Sequence, residues 1–136
     1  PTEFVTLLYG VLDVPNKRLT YCNAGHPPAM LLRDGVVTEL DANNMVLGID
    51  CNERYTQSIL HVKPNDTILL YTDGLADAMN FEKQTFGRLR IIEAFKQSTG
   101  SADTIAQNIL WTARKFVGMT ARNDDVTMMV ARMNAE

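Results

Sequence analysis

Residues 66–75 read Asp66-Thr67-Ile68-Leu69-Leu70-Tyr71-Thr72-Asp73-Gly74-Leu75. The run from Ile68 to Tyr71 reads as part of a buried strand, with an expected extent of residues 67–72. It ends on Asp73, a carboxylate at the mouth of a buried strand. Gly74 follows, where the absent Cβ lets backbone approach a ligand closely. The flanking sequence shows what surrounds this strand.

Upstream, the chain reads as hairpins. Residues 29–33 and 36–40 flank Asp34-Gly35, a pair suited to the two positive φ angles of a type I′ turn. Residues 55–62 form a further strand, turned back into 67–72 by Pro64-Asn65-Asp66. Residues 4–12 are apolar on both alternating faces and predict a strand buried on both sides. A turn at 13–17 leads to a return strand at 18–23. Residues 24–28 are irregular, because Pro27 and Pro28 remove two backbone donors. Residues 41–52 form a loop containing Val46-Leu47-Gly48-Ile49.

Downstream the period changes. A mobile connection is expected over residues 75–86. A helix over residues 88–97 carries Leu89, Ile92, Ala94 and Phe95 at roughly helical spacing. A second helix over 102–117 has Ser101 as N-cap, the stripe Ile105, Ile109, Ala113 and Phe116, and Gly118 to close it. Arg122-Asn123-Asp124-Asp125 is a polar loop before a last strand at 126–133. Hairpins first, then two helices and one strand, disfavour a parallel βαβ fold. They predict an α+β domain, antiparallel sheet with helices laid on it.

Composition agrees with a packed domain: 46% of the 136 residues are hydrophobic and 21% charged. A net charge of −3 and a pI near 5.3 argue against a nucleic-acid surface or an anionic membrane as partner. No apolar run reaches the ~18 residues of a membrane span, and no segment reads as a signal peptide. Cys22 and Cys51 lie outside any CxxC pattern, which argues against structural zinc and for buried, reduced thiols in a cytoplasmic protein. Met128, Met129 and Met133 read as core gap-fillers. His61 alternates within a strand and reads as a surface or half-buried side chain. The chain starts directly on an apolar strand, as if cut from a longer one.

Chemistry concentrates at two acidic spots. If the strands 67–72 and 126–133 are antiparallel neighbours, Asp73 and the Asp124-Asp125 pair meet at one edge of the sheet. Carboxylates without His or Cys suit Mg²⁺ or Mn²⁺, and a two-metal site can clamp a phosphoryl group and activate a water. The plain alternative is that Asp-Gly is a turn and Asn-Asp-Asp a loop cap. His26, between Gly25 and Pro27, is a loop residue near the same edge. Ser98 and Ser101 have no base nearby, so nucleophilic serine chemistry has no support.

Taken in order, Phe4-Val5-Thr6-Leu7-Leu8-Tyr9-Gly10-Val11-Leu12-Asp13, Tyr21-Cys22-Asn23-Ala24-Gly25-His26-Pro27-Pro28, Leu47-Gly48, residues 66–75, Phe86-Gly87 and Asp124-Asp125-Val126-Thr127 resemble the SpoIIE/RsbU-type serine phosphatases. These belong to the wider PPM, or type-2C, metal-dependent class. The resemblance covers nearly the whole chain. It implies an α-β-β-α sandwich of which residues 1–136 are the C-terminal portion, with a two-metal Mn²⁺ or Mg²⁺ site between the sheets. It implies that Asp73 and Asp124 bind metal, with Asp125, Gly74 and His26 beside them. An acidic residue stands at the position of His26 in type-2C relatives, so no metal role is carried over to it. The family's N-terminal Asp-Val-Ser-Gly-His-Gly-like block and its first helical layer have no counterpart in these residues. Ala76 and Asp77 depart from the usual Thr-Glu.

The activity so implied is metal-dependent hydrolysis of phosphoserine or phosphothreonine on a protein, for example an anti-sigma-factor antagonist. The domain would be the output module of a bacterial signalling protein behind a sensor or receiver domain. The alternative is a non-catalytic or truncated phosphatase-like binding module. A haloacid-dehalogenase-type hydrolase is excluded, because Tyr71 stands where that fold needs an Asp and the strands come as hairpins.

Overall fold

The computed structural model describes residues 3–40, 44–122 and 124–135. Strand β6, Thr67–Tyr71, is at its centre. Ile68 and Leu70 face one side and Leu69 and Tyr71 the other, and each side meets a separate apolar core. Four of its five residues are buried, so the buried-strand reading of this run is what the chain adopts. Side chains of this size each contribute about 1.5–3 kcal/mol when fully buried, which makes β6 the costliest strand to displace.

Two antiparallel sheets stack. The larger sheet has the order β4-β3-β6-β7, with β3 Met30–Arg33, β4 Val36–Glu39 and β7 Met128–Arg132. The smaller has the order β1-β2-β5, with β1 Leu7–Asp13, β2 Arg18–Ala24 and β5 Ser58–His61. Between them lie Tyr21, Ala29, Leu31, Leu40, Val62 and Ile68. The β3–β4 hairpin turns on Asp34 at φ 51° and Gly35 at φ 77°, the two positive angles of the type I′ turn. Register places Tyr71 opposite Met128, so the end of β6 lies beside the start of β7.

The helices cover the other face of the larger sheet. Helix α1 is a single turn, Asp73–Ala76; α2 spans Gly87–Gln97 and α3 spans Ala102–Val117. The Ser101 hydroxyl caps α3 by accepting the Thr104 N–H at 3.1 Å, and Gly118 closes it at φ 62°. Ile105, Ile109 and Ala113 form the buried stripe and meet Leu69, Leu75, Phe86, Ile91 and Phe95. No helix among the described residues is long and apolar enough to cross a membrane.

Several expectations are corrected. The first strand is not buried on both sides: Leu7, Tyr9 and Val11 are exposed, because no layer of the described residues covers the outer face of the smaller sheet. Pairing with β2 also begins only at Leu7, and Val5 before it bridges instead to Leu47. Residues 55–57 lie outside β5, and 126–127 outside β7. In α2 the buried stripe is Ile91, Ala94 and Phe95, which pack against the larger sheet and α3, whereas Leu89 faces solvent. Met129 and Cys51 are exposed, not core. The connection expected to be mobile is tied down: Leu75 and Phe86 are fully buried, and Met79 pairs with Thr85 around an Asn80–Gln84 turn. Residues 41–43 of the expected 41–52 loop and Asn123 of the 122–125 loop lie outside the described residues.

Candidate functional site

The ladder between β6 and β7 does not stop at Tyr71. The Thr72 N–H donates to the Thr127 carbonyl at 3.0 Å, and the Thr127 N–H donates to the Thr72 hydroxyl at 3.1 Å. A side-chain oxygen here replaces the backbone acceptor that a strand would offer, so the two chains stay paired while β6 turns into α1. One residue past Thr72 is Asp73, and two residues before Val126 is Asp124.

Gly74 holds the approach closed. A Cβ at this position would lie 1.9 Å from the Asp125 carbonyl oxygen and 2.8 Å from its carbonyl carbon. What comes close to Gly74 is therefore the backbone of the Asp124-Asp125 loop, where the sequence suggested a ligand. Asp73 opens α1 with its carbonyl accepting the Asp77 N–H at 2.8 Å, and its side chain is exposed. One carboxylate oxygen of Asp124 accepts the Asp125 N–H at 2.7 Å, which fixes the turn into β7. Asp124 and Asp125 are both exposed.

The third side of the site is the bend after β2. Asn23, almost fully buried, accepts the His26 N–H at 2.8 Å and donates to the His26 carbonyl at 3.0 Å. This two-ended brace replaces the backbone bonds that Pro27 and Pro28 cannot make. The Nδ1 of His26 lies 3.0 Å from the Pro27 carbonyl, an oxygen that only accepts. That contact is a hydrogen bond when the proton sits on Nδ1, which leaves Nε2 as the free nitrogen of the neutral ring.

These elements enclose one open cavity of about 370 Å³. Thr6, His26, Thr72, Asp73, Gly74, Asp124, Asp125 and Thr127 all line it. Every residue the sequence singled out for chemistry thus faces one space. Sequence reasoning missed Asn23, Thr6 and the Thr72–Thr127 pair. Asn23 could have been found as a polar residue in register with the inward side of β2, opposite Leu8.

Tyr71 sits just behind the site, and burial pushes its phenol above the ordinary value; the negative charges of Glu39 and Asp73 add to this and Arg88 opposes it. It stays protonated at neutral pH and is no source of anionic charge for the cavity. Asp66, at the far end of β6, is a fold element: it accepts two bonds from Arg33 at 2.8 and 2.6 Å and the Lys63 N–H at 2.8 Å.

A family model described as Stage II sporulation protein E (SpoIIE) matches residues 1–134. Protein IcfG of Synechocystis sp. is 32% identical over 136 residues, which covers 96% of this chain and 21% of that protein. Phosphoserine phosphatase RsbU of Bacillus subtilis is 28% identical over 135 residues, 95% of this chain and 39% of that protein. The solved phosphatase domain of the cell fate determinant SpoIIE from Bacillus subtilis, presoaked with manganese, matches with a TM-score of 0.74 at 17% identity. That match covers 96% of this chain and 57% of the solved one. At such identity the structural likeness shows the fold, which is of the type-2C phosphatase kind. The chain spans well under half the length of these two relatives and a little over half of the solved domain.

Proposed function

The chain belongs to the SpoIIE family, and on that premise we propose that it carries half of the metal site of a protein-serine/threonine phosphatase. The observation that carries this reading is the convergence of Asp73 and Asp124 on one open cavity, held there by the Thr72–Thr127 pairing and the Gly74 contact.

The donors present are carboxylates and hydroxyls, with the His26 imidazole at the border and no thiolate, and the carboxylates suit a hard divalent cation. Among the described residues no group of three His, Cys, Asp or Glu side chains is arranged to hold an ion. The residues therefore fit Mg²⁺ or Mn²⁺ bound through one or two carboxylates with water completing the shell, not a closed protein cage. Asp73 and Asp124 would hold the metal. Asp125 shapes the loop that presents Asp124, and His26 borders the space where a phosphoryl group would enter. Bound metal would supply charge neutralisation for that group and a water of lowered pKa. In this reading further ligands come from sequence N-terminal to Pro1. The substrate is a phosphorylated protein such as an anti-sigma-factor antagonist, the upstream partner a sensor or receiver domain, and the compartment the cytoplasm.

The absence of a three-ligand group among the described residues also favours a second reading, a phosphatase-like binding module without turnover. Metal-dependent hydrolysis of para-nitrophenyl phosphate separates the two. The 136-residue chain alone should bind Mn²⁺ weakly and hydrolyse poorly. A chain extended by its N-terminal block should hydrolyse well, lose turnover in Asp73→Asn and in Asp124→Asn while staying folded, and lose less in His26→Ala. Full activity of the extended Asp73→Asn protein would place the site elsewhere, and an inactive extended wild type would favour the binding module.

A further inference from the structure

Beside the carboxylate cavity lies a second one of about 480 Å³, and Gly74 and Asp124 line both. That volume lies within the roughly 300–1,000 Å³ of ligand-binding clefts. One wall is α1 with the residues after it, and the other is the C-terminal half of α3 with the chain leading to Asp124. The lining is largely apolar, with Leu75, Met79, Leu110 and Val117 buried or half-buried.

Arg114 and Arg122 line the second wall. Both are exposed, and neither guanidinium has a hydrogen bond or ion pair with any described residue. Other arginines are engaged: Arg33 with Asp66, Arg88 with Glu39, Arg90 over the Phe116 ring and Arg132 with the Gly100 carbonyl. Placement in the last turn of α3 suits the helix dipole and accounts for Arg114, but Arg122 lies beyond the helix. Asp77 and Asp124 also line the cavity, so it is not a basic patch for nucleic acid or a membrane. Two guanidiniums beside apolar side chains, next to a carboxylate-lined space, complement an acidic and apolar peptide.

We infer that this groove docks the polypeptide flanking the phosphorylated residue of the substrate. An apolar side chain packs on Leu75, Met79, Leu110 and Val117, and an acidic side chain pairs with Arg114 and Arg122. The inference rests on the reading of the carboxylate cavity as the phosphate-cleaving site, and deepens it by naming the flanking sequence the site selects.

The test is binding without metal, so that it does not depend on turnover. Two fluorescein-labelled phosphoserine peptides are compared by anisotropy in EDTA. One carries Leu and Glu beside the phosphoserine; the other carries Ser and Lys in those places. The acidic, apolar peptide should bind the chain at least about tenfold more tightly. Arg114→Glu combined with Arg122→Glu should remove or invert that preference, and the milder Arg114→Gln should reduce it, with circular dichroism confirming the fold of each. Equal affinities for the two peptides, or a preference that survives the double charge reversal, would overturn the inference. Loss of para-nitrophenyl phosphate hydrolysis in the extended protein, with peptide preference intact, would sink the catalytic reading and leave the groove standing.

Discussion

Replacing Gly74 by Ala tests whether the close packing of α1 against the Asp124-Asp125 loop sets the site. The added Cβ would lie 1.9 Å from the Asp125 carbonyl oxygen. A carbon and a carbonyl oxygen in contact stand about 3.3 Å apart, so the two segments must separate by about 1.4 Å. Both nearest atoms belong to backbone, and no side-chain rotation relieves the contact. A shift of that size would carry the Thr72–Thr127 bonds, now 3.0 and 3.1 Å, beyond hydrogen-bonding distance. Overpacking costs about 1–3 kcal/mol and each lost bond about 1 kcal/mol, while Ala returns up to about 1 kcal/mol of helix propensity in α1. We expect a net loss of about 3 kcal/mol in urea denaturation.

The functional loss should be larger in proportion, because a displacement near 1 Å at a reacting centre can cost about 10²-fold. Mn²⁺ affinity, followed by water-proton relaxation, should fall together with hydrolysis in the extended protein. Gly35→Ala is the control. Gly35 has φ 77° with open space around its missing Cβ, and it lies in the β3–β4 turn away from the cavity. That variant should lose about 1 kcal/mol of stability and keep its metal affinity. If Gly74→Ala behaves like Gly35→Ala, with unchanged Mn²⁺ binding, the packing argument fails.

Two further outcomes follow from the hydrogen bonds on either end of β6. Thr72→Val removes the hydroxyl that accepts the Thr127 N–H; it should cost about 1 kcal/mol in chemical denaturation and reduce turnover of the extended protein, whereas Thr72→Ser should restore both. At the other end, Asp66 is almost fully buried; burial raises its pKa, but the Arg33 bonds and the Lys63 N–H outweigh it and hold the carboxyl below its ordinary 3.8. Its contribution to stability is thus complete above the unfolded value and lost as pH falls through the lower folded one. Arg33→Met should cost about 3 kcal/mol at neutral pH, the low end of the ~3–5 expected for a broken buried pair because Arg33 is partly exposed. It should also flatten the acid loss of stability below about pH 4, and parallel acid profiles for variant and wild type would refute the assignment.

What was legible in the sequence is what has a local cause. Asp34-Gly35 names its own turn, Ser101 and Gly118 mark the ends of α3, and the apolar run Ile68 to Tyr71 announces a buried strand. The first strand failed because its reading was also local. Leu7, Tyr9 and Val11 carry the same alternation as a doubly buried strand, but burial belongs to the neighbouring layer, and no described residue covers that face. Leu89 failed for a related reason. Its spacing with Ile92 is helical either way, and which stripe turns inward depends on the sheet beneath it.

The candidate site divides along the same line. Asp73 and the Asp124-Asp125 pair could be brought together on paper, because one conditional statement, that β6 and β7 are antiparallel neighbours, places a strand's end beside another's start. The side chains that hold the acids in place could not. Thr72 and Thr127 are 55 residues apart and read separately as ordinary strand residues. Gly74 carried a visible signal with the wrong object, since a missing Cβ announces a close approach without saying to what. In this fold the neighbour is the Asp125 carbonyl, which ties the acid at the end of one strand to the acids at the start of another. The presentation of Asp124 is therefore a property of the Gly74 contact as much as of its own loop, and no inspection of residues 122–127 alone would show it.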